Sequence, residues 1–402
     1  MKTRSTNKFN IFARILLIAI LLYSIAVVLP VVPARADHAI WALQFDGTTD
    51  WIRLGATADL IGSGWQTTKS VNLWLKPSSG RDCEDADAQS CDVIFGDIPL
   101  WWGITIGRIT VGPHANEDCI WVWNHDYPAS GKDVICIPYT PGEWLNIALV
   151  HGDGWLRAFK NGIERGSVAS GATYQVPDSN PLLYLGGIIY NAQEVKTFAG
   201  QIDEVRIWNR ALTATEIIDN MFNDLPLPQT GLGAYYKMSD GPSDPISTTL
   251  TDDSGNGWNG TLLDGKPVDD PPGDGQYAQW VTSDAFVVPD APVAPTGLAT
   301  SAVSAFQINL SWTDNSDNES DFQIDRCAGH GCSSFSLLTY VQAGVGTGSL
   351  INYSDTSANP GTEYCYHIHA INAGGASSST LNACSQTWNL LFLPGVRRSF
   401  GP

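Results

Sequence analysis

The sequence predicts an all-β chain built as sandwiches of two packed sheets, on three observations. Apolar residues alternate with period two in short segments such as Val71-Asn-Leu-Trp-Leu-Lys-Pro77. Turn residues separate these segments, and Asn161-Gly162 is the strongest hairpin signal among them. Only one segment, after about residue 213, carries a helix signature. Many short strands with turns between them fit two face-to-face sheets. The 402 residues leave room for two or three domains and a sizeable core.

The N-terminus reads as a secretory signal over residues 1–36. Lys2, Arg4 and Lys8 form a basic start, Ile15–Val32 is strongly apolar, and Ala34-Arg35-Ala36 is a small-residue cleavage pattern. The apolar run approaches transmembrane length, so retention as an anchor is the alternative; Pro30 and Pro33 favour cleavage. No later segment is long and apolar enough to span a bilayer. The leader holds five basic residues and no acid, so its loss takes the formal charge from −19 to −24. Such a surface repels phosphate backbones and excludes nucleic acid as a partner class.

Eight cysteines divide evenly between the two ends of the chain. An even count in each half of an exported protein points to local disulfides, and none has the C-x-x-C spacing of a zinc site. Four cysteines allow three connectivities; proximity favours Cys83 with Cys91 and Cys119 with Cys136. Fifteen Trp against three Met also suit an extracellular β protein.

In chain order, Ala42–Leu54 reads as strand, Asp46-Gly47 turn and strand. Val71–Pro77 follows, then Trp144–Val150 and Trp155–Gly162 as a meander. Residues 80–137 read as an insertion carrying the four early cysteines and the aromatic group Trp101, Trp102, Trp121, Trp123, His125 and Tyr127. Leu182–Gly187 precedes the central stretch Gly200–Leu212, a strand in which Asp203 and Glu204 stand side by side. Thr213-Ala-Thr-Glu216 is then a capping box that starts a short helix.

The Phe45-Asp-Gly-Thr-Thr-Asp50 segment, the Val71–Pro77 strand and the closing Ile202-Asp-Glu stretch with Asn-Arg-Ala-Leu212 and its capped helix resemble the laminin-G-like (concanavalin A-like, pentraxin-related) jelly-roll family. Gly231–Met238 and Asp253–Leu262 resemble family segments that in many members precede the Phe-Asp-Gly strand. Here they follow the closure, which implies a strand returning to complete the sandwich, with a remnant second repeat as the alternative. The jelly roll is thus expected over residues 37–285. Pro289–Pro295 reads as an extended linker within residues 286–295. Beyond it, Pro295-Thr-Gly-Leu298, Ile308–Trp312, Phe322–Arg326 and Pro360–Tyr364 resemble a fibronectin type III domain over residues 291–387. That resemblance implies an immunoglobulin-like sandwich with Trp312 in its core and Tyr364 at the tyrosine corner. It also turns Cys365 away from the core toward Cys384, while Cys327 and Cys332 flank a loop short enough for a local bridge. The tail over residues 388–402 is apolar, then basic, and reads as an unstructured end.

The laminin-G resemblance implies a structural Ca²⁺ near Asp46, Asp50 and Asp203, since hard cations take several carboxylate and carbonyl oxygens. The plainer reading has Asp46 capping its own turn and Asp203 pairing with Arg206 or Arg53. For a sugar ligand, Trp121 and Trp123 share a strand face and Asn124 and His125 follow, a stacking platform with polar neighbours; core burial is the alternative, because Trp is usually largely buried. His367 and His369 share an outward strand face and could hold a metal, although paired surface histidines usually do not. No two-carboxylate glycosidase pattern, G-x-S-x-G elbow, H-E-x-x-H or Walker loop occurs. The expectation is therefore a non-catalytic protein, secreted or at the cell surface of a bacterium, that binds polysaccharide or glycoprotein. The alternatives are a glycan hydrolase or lyase of the same fold and a purely structural adhesion or spacer subunit.

Overall fold

The computed structural model describes residues 41–83, 91–97, 102–111, 115–126, 131–170, 181–190, 194–238, 240–241, 248–264, 277–285, 289–343 and 347–389. The expected leader, Trp101, Tyr127 and the tail from residue 390 lie outside the described residues. No helix among the described residues is long and apolar enough to cross a membrane.

The first sandwich has two large sheets. One runs, in spatial order, Ile163–Ala169, Trp155–Lys160, Leu145–Gly152, Lys69–Ser79, Ala199–Trp208, Trp41–Asp46 and Gln279–Thr282, with Leu232–Tyr236 also paired to Ala199–Trp208. The other runs Thr249–Leu250, Gly260–Asp264, Asp50–Ala56, Leu182–Leu185, Asp92–Asp97, Trp102–Ile109, Asp118–Asp126 and Gly131–Ile137, with three short strands beside it. Period-two alternation drives the facing sides together: Val71, Leu73 and Leu75 from one sheet and Ile104, Ile120 and Val122 from the other are all buried in one core. Asn161 and Gly162 adopt φ of 51° and 78°, the left-handed pair that a two-residue hairpin requires. A side chain at Gly162 would also put its Cβ 2.5 Å from Ile218.

Residues 80–137, expected as an insertion, are built into the second sheet. They contribute Arg81–Cys83, Asp92–Asp97, Trp102–Ile109, Asp118–Asp126 and Gly131–Ile137, about half of the second sheet. The segments after the closure complete the sandwich: Leu232–Tyr236 and Gln279–Thr282 join one sheet, and Gly260–Asp264 joins the other beside Asp50–Ala56. The loop between them is a turn organised by Asp252, whose carboxylate accepts from the backbone N–H of Tyr235, Ser254 and Trp258. Helix Ala214–Met221 begins with the expected Thr213–Glu216 capping box and lays Ile217 and Met221 on the outer side of the first sheet.

The second sandwich packs Thr296–Ala302, Ile308–Thr313 and Leu350–Asp355 against Ser336–Gln342, Asp321–Ala328, Glu363–Asn372 and Ala383–Gln386. Trp312 is fully buried between them against Phe322. The Tyr364 hydroxyl accepts from the Asn359 backbone N–H at 3.1 Å, pinning the loop before its own strand. Four disulfides join Cys83–Cys91, Cys119–Cys136, Cys327–Cys332 and Cys365–Cys384, the expected pairs.

Candidate functional site

Trp121 and Trp123 share a face, and that face is covered. Ile120 and Val122 point into the main core, so alternation sends Cys119, Trp121 and Trp123 to the other side of the sheet. There they meet Trp51, Tyr184, Ile188 and the Cys83–Cys91 bridge, and both indoles are 0% exposed. Trp121 Nε1 donates to the Gly107 carbonyl at 2.8 Å. The disulfide-bearing segments thus form a second core, and the expected stacking platform is corrected to packing. Asn124 points inward instead: its oxygen accepts from Lys69 Nζ at 3.1 Å and its amide donates to Ser170 at 3.0 Å. Lys69 lies 4.8 Å from the Trp102 ring centre, and burial pushes its ammonium down to about 7, with the Asp97 carboxylate opposing. His151, paired with Lys69 in register, is held neutral down to about pH 3 by burial and by the lysine's charge. This is a polar plug inside the fold. The His125 side chain lies outside the described residues.

The three acids expected around one Ca²⁺ are not brought together. The Asp46 carboxylate caps its own turn, accepting from the backbone N–H of Thr48 at 2.7 Å and Thr49 at 3.0 Å. Asp50 accepts from the Asp46 backbone N–H at 3.0 Å. Asp203 lies one residue beyond the Leu43–Ile202 pair, about 13 Å along the sheet from Asp46 at the usual rise per strand residue. It accepts from the Ser283 hydroxyl at 2.7 Å, not from Arg206. The donor set does not fit a shared ion: each carboxylate is held by protein donors, and one is remote from the other two.

The arginine finds the neighbouring acid. The closing strand carries one extra residue between Asp203 and Arg206, with Glu204 at φ 51°, so that Asp203, Glu204 and Arg206 all lie on the outer side while Ile202, Val205 and Ile207 face the core. Arg206 Nη2 lies 2.6 Å from Glu204 Oε2 and 3.2 Å from the Tyr235 hydroxyl, which also donates to Glu204. The guanidinium then donates to the carbonyls of Asn220 and Asn223, tying the helix end to the sheet. These buried charges are committed to structure.

The open, polar and aromatic place is where the two sandwiches meet. Arg165 of the first makes a 2.6 Å ion pair with Asp321 of the second, with side chains only 8% and 5% exposed. The Arg165 guanidinium also lies 4.8 Å from the Tyr340 ring centre. Asn318 and Asn372 both donate to the Asp290 carbonyl, fixing the connecting segment. Beside this junction is a cavity of about 230 Å³ lined by Trp74, Glu143, Trp144, Asp284, Asn318 and Glu319 among others. Trp144 is half-buried; its Nε1 donates to the Asp284 carboxylate, and Lys76 Nζ lies 5.9 Å from its ring centre and 3.5 Å from Asp284. Glu143 and Asp284 are exposed at the rim. Burial pushes the Glu319 carboxyl up to about 7, and nearby Asp314 adds to the effect. Sequence reasoning missed this cleft. Its one local signal is Trp144 at a strand entry after the polar turn Pro141-Gly-Glu143; its apposition to residues 318–320 is purely tertiary.

Residues 46–218 match the family model of the concanavalin A-like lectin/glucanases superfamily. Among solved structures, the chain is similar to a candidate carbohydrate-binding protein from Bacteroides ovatus, with 18% identity, 59% of this chain and 62% of that one covered, and a TM-score of 0.42. It thus spans a little under two thirds of that protein. It is also similar to a heptameric SAP-like pentraxin from Limulus polyphemus, at 13% identity over 58% of this chain and 97% of that one, TM-score 0.36. A Fn3-like protein from Clostridium thermocellum is similar at 24% identity over 26% of this chain and all of that one, TM-score 0.21. No curated protein matches the sequence.

Proposed function

We propose that this is an exported carbohydrate-binding protein that holds a saccharide, free or on a glycoprotein, without cleaving it, in the cleft between its two sandwiches. The observation that carries the reading is Trp144, a half-buried indole set among carboxylates at the mouth of that cavity. A sugar ring has an apolar C–H face, which an indole covers, and a rim of hydroxyls, which carboxylates and amides bind. Glu143 and Asp284 would take the hydroxyl edge. The cavity is small for a drug-sized ligand, for which roughly 300–1,000 Å³ is usual, so it suits one ring or a chain end. The strongly acidic surface disfavours sulfated or uronate polymers and points to neutral glycans. The matched superfamily, whose description spans lectins and glucanases, and the disulfides also support binding outside the cell.

The test is affinity electrophoresis and calorimetry of the full chain against neutral polysaccharides, beside Trp144→Ala. Binding that falls at least tenfold, about 1.4 kcal/mol, in a variant with an unchanged melting curve is the expected result. Undiminished binding would move the site elsewhere. Release of new reducing ends would replace binding by hydrolysis, and failure to bind any glycan would leave a spacer.

A further inference from the structure

On the outward face of the second sandwich, three side chains that the carbohydrate reading does not use converge on one point. Asp325 stands directly across from His367 in the sheet, and His369 is the next residue on the same face. Their alternates Tyr366, Ile368 and Ala370 point into the core, so the two imidazoles are set outward by the strand itself. We propose that Asp325, His367 and His369 form a divalent transition-metal site, of the kind that takes Zn²⁺.

Geometry carries the assignment. Asp325 Oδ2 is 3.3 Å from His367 Nε2 and 3.5 Å from His369 Nε2. Both separations are long beside the roughly 2.7–3.2 Å usual for an N–H···O hydrogen bond. They match the edge of a tetrahedron around zinc, about 3.3–3.4 Å for bonds of about 2.0–2.1 Å to nitrogen and oxygen. All three ligand atoms lie within 4.8 Å of one another.

The surroundings hold the His369 ring in the ligating form and fix its neighbours in place. His369 Nδ1 lies 2.9 Å from the Ser377 carbonyl, which can only accept. The proton of the neutral ring is therefore on Nδ1, and Nε2 presents its lone pair to Asp325. Phe335 stacks on His367 with ring centres 4.0 Å apart and planes 17° apart. Gln323 Nε2 donates to both Asp325 oxygens at 3.0 Å, fixing the carboxylate plane. Partners of this kind orient metal ligands and raise their basicity. Without a cation, the His369 Nε2 lone pair would face a carboxylate oxygen.

Two imidazoles and one carboxylate select zinc and its neighbours rather than calcium, which takes six to eight oxygens. With the histidine side chains 17% and 21% exposed, the fourth position opens outward, where water or a donor from a partner completes the shell.

The test is a Zn²⁺ titration of the full, oxidised chain at about pH 7.5, where unperturbed imidazoles are mostly neutral. Chelator competition and the visible d–d bands of Co²⁺ serve as readouts. The expected result is one ion per chain, a higher melting midpoint with Zn²⁺, and at least tenfold weaker binding in His367→Ala, His369→Ala and Asp325→Asn. His330→Ala, on a separate exposed loop, should bind as the native chain does. If an alanine variant loses its cooperative melt, His369→Gln, whose amide can keep the bond to Ser377, is read instead. No uptake by the native chain, or undiminished uptake in these variants, overturns the proposal and leaves an ion pair.

Discussion

Each sandwich contains an arginine held between a carboxylate and a tyrosine, and the two groups differ chiefly in their access to water. In the first, Arg206, Glu204 and Tyr235 lie outside the main core but under the helix, with the Arg206 and Glu204 side chains 1% exposed. In the second, Arg326 pairs with Asp355 at 2.6 Å, and Tyr366 donates to the same carboxylate at 2.8 Å. There the arginine is 23% exposed, and its guanidinium lies 4.7 Å from the Tyr364 ring centre. Nearly the same chemistry thus operates in two dielectric settings. Water that reaches Arg326 screens the pair, and Asp355, itself buried, keeps hydrogen bonds from Ser357 and Tyr366 when the arginine is lost. The Arg206–Glu204 pair has no such access to water, so removing the arginine leaves a buried carboxylate without its countercharge.

The sharpest way to break this contrast is Arg206→Ala. Stranding the Glu204 carboxylate and the Asn220 and Asn223 carbonyls should cost about 3–5 kcal/mol, read from urea unfolding. A loss below about 1 kcal/mol would show that water enters and that the two groups are alike.

Lys69 sharpens the same point, as a buried cation whose Nζ meets the Asn124 oxygen and the Trp65 and Trp102 rings. Its folded pKa, about 7, lies below the ordinary value of 10.5. Below about 7 the folded state bears the full cost of a buried ammonium. Between about 7 and 10.5 the unfolded chain holds a proton that the folded chain does not, so stability should rise with pH by up to about 1.4 kcal/mol per unit. Lys69→Met should flatten that slope in unfolding curves taken across the range.

Arg326→Ala should cost less than Arg206→Ala, about 1–2 kcal/mol, with a correspondingly smaller fall in urea midpoint. An equal cost would remove exposure as the deciding variable. The smallest expected effect is at Glu319, whose folded pKa of about 7 lies above the ordinary 4.5. Its contribution is fully present below about 4.5 and is lost as pH rises through about 7. Glu319→Gln should therefore raise the melting temperature at pH 8 and leave it unchanged at pH 4.

Local chemistry made much of this protein legible in its sequence. Alternation along Val71–Leu75, the left-handed pair Asn161-Gly162 and the Thr213–Glu216 box each depend on residues within a few positions, so their outcomes are written in the chain. The disulfides follow for the same reason, since each joins cysteines on neighbouring strands or across one loop. Alternation also placed Trp121 and Trp123 on one face and His367 and His369 on another. It could not say what covers a face. That depends on distant chain: the Cys83–Cys91 bridge with Trp51 and Tyr184 over the tryptophans, and Phe335 stacked on His367. A one-residue bulge set Asp203, Glu204 and Arg206 on one side of the sheet, where Arg206 pairs with Glu204 and Asp203 accepts from Ser283. The Trp144 cleft and the Asp325–His367–His369 cluster likewise came only with tertiary structure. Strand direction is set by neighbours in sequence, whereas exposure, charge pairing and ligand geometry are set by neighbours in space.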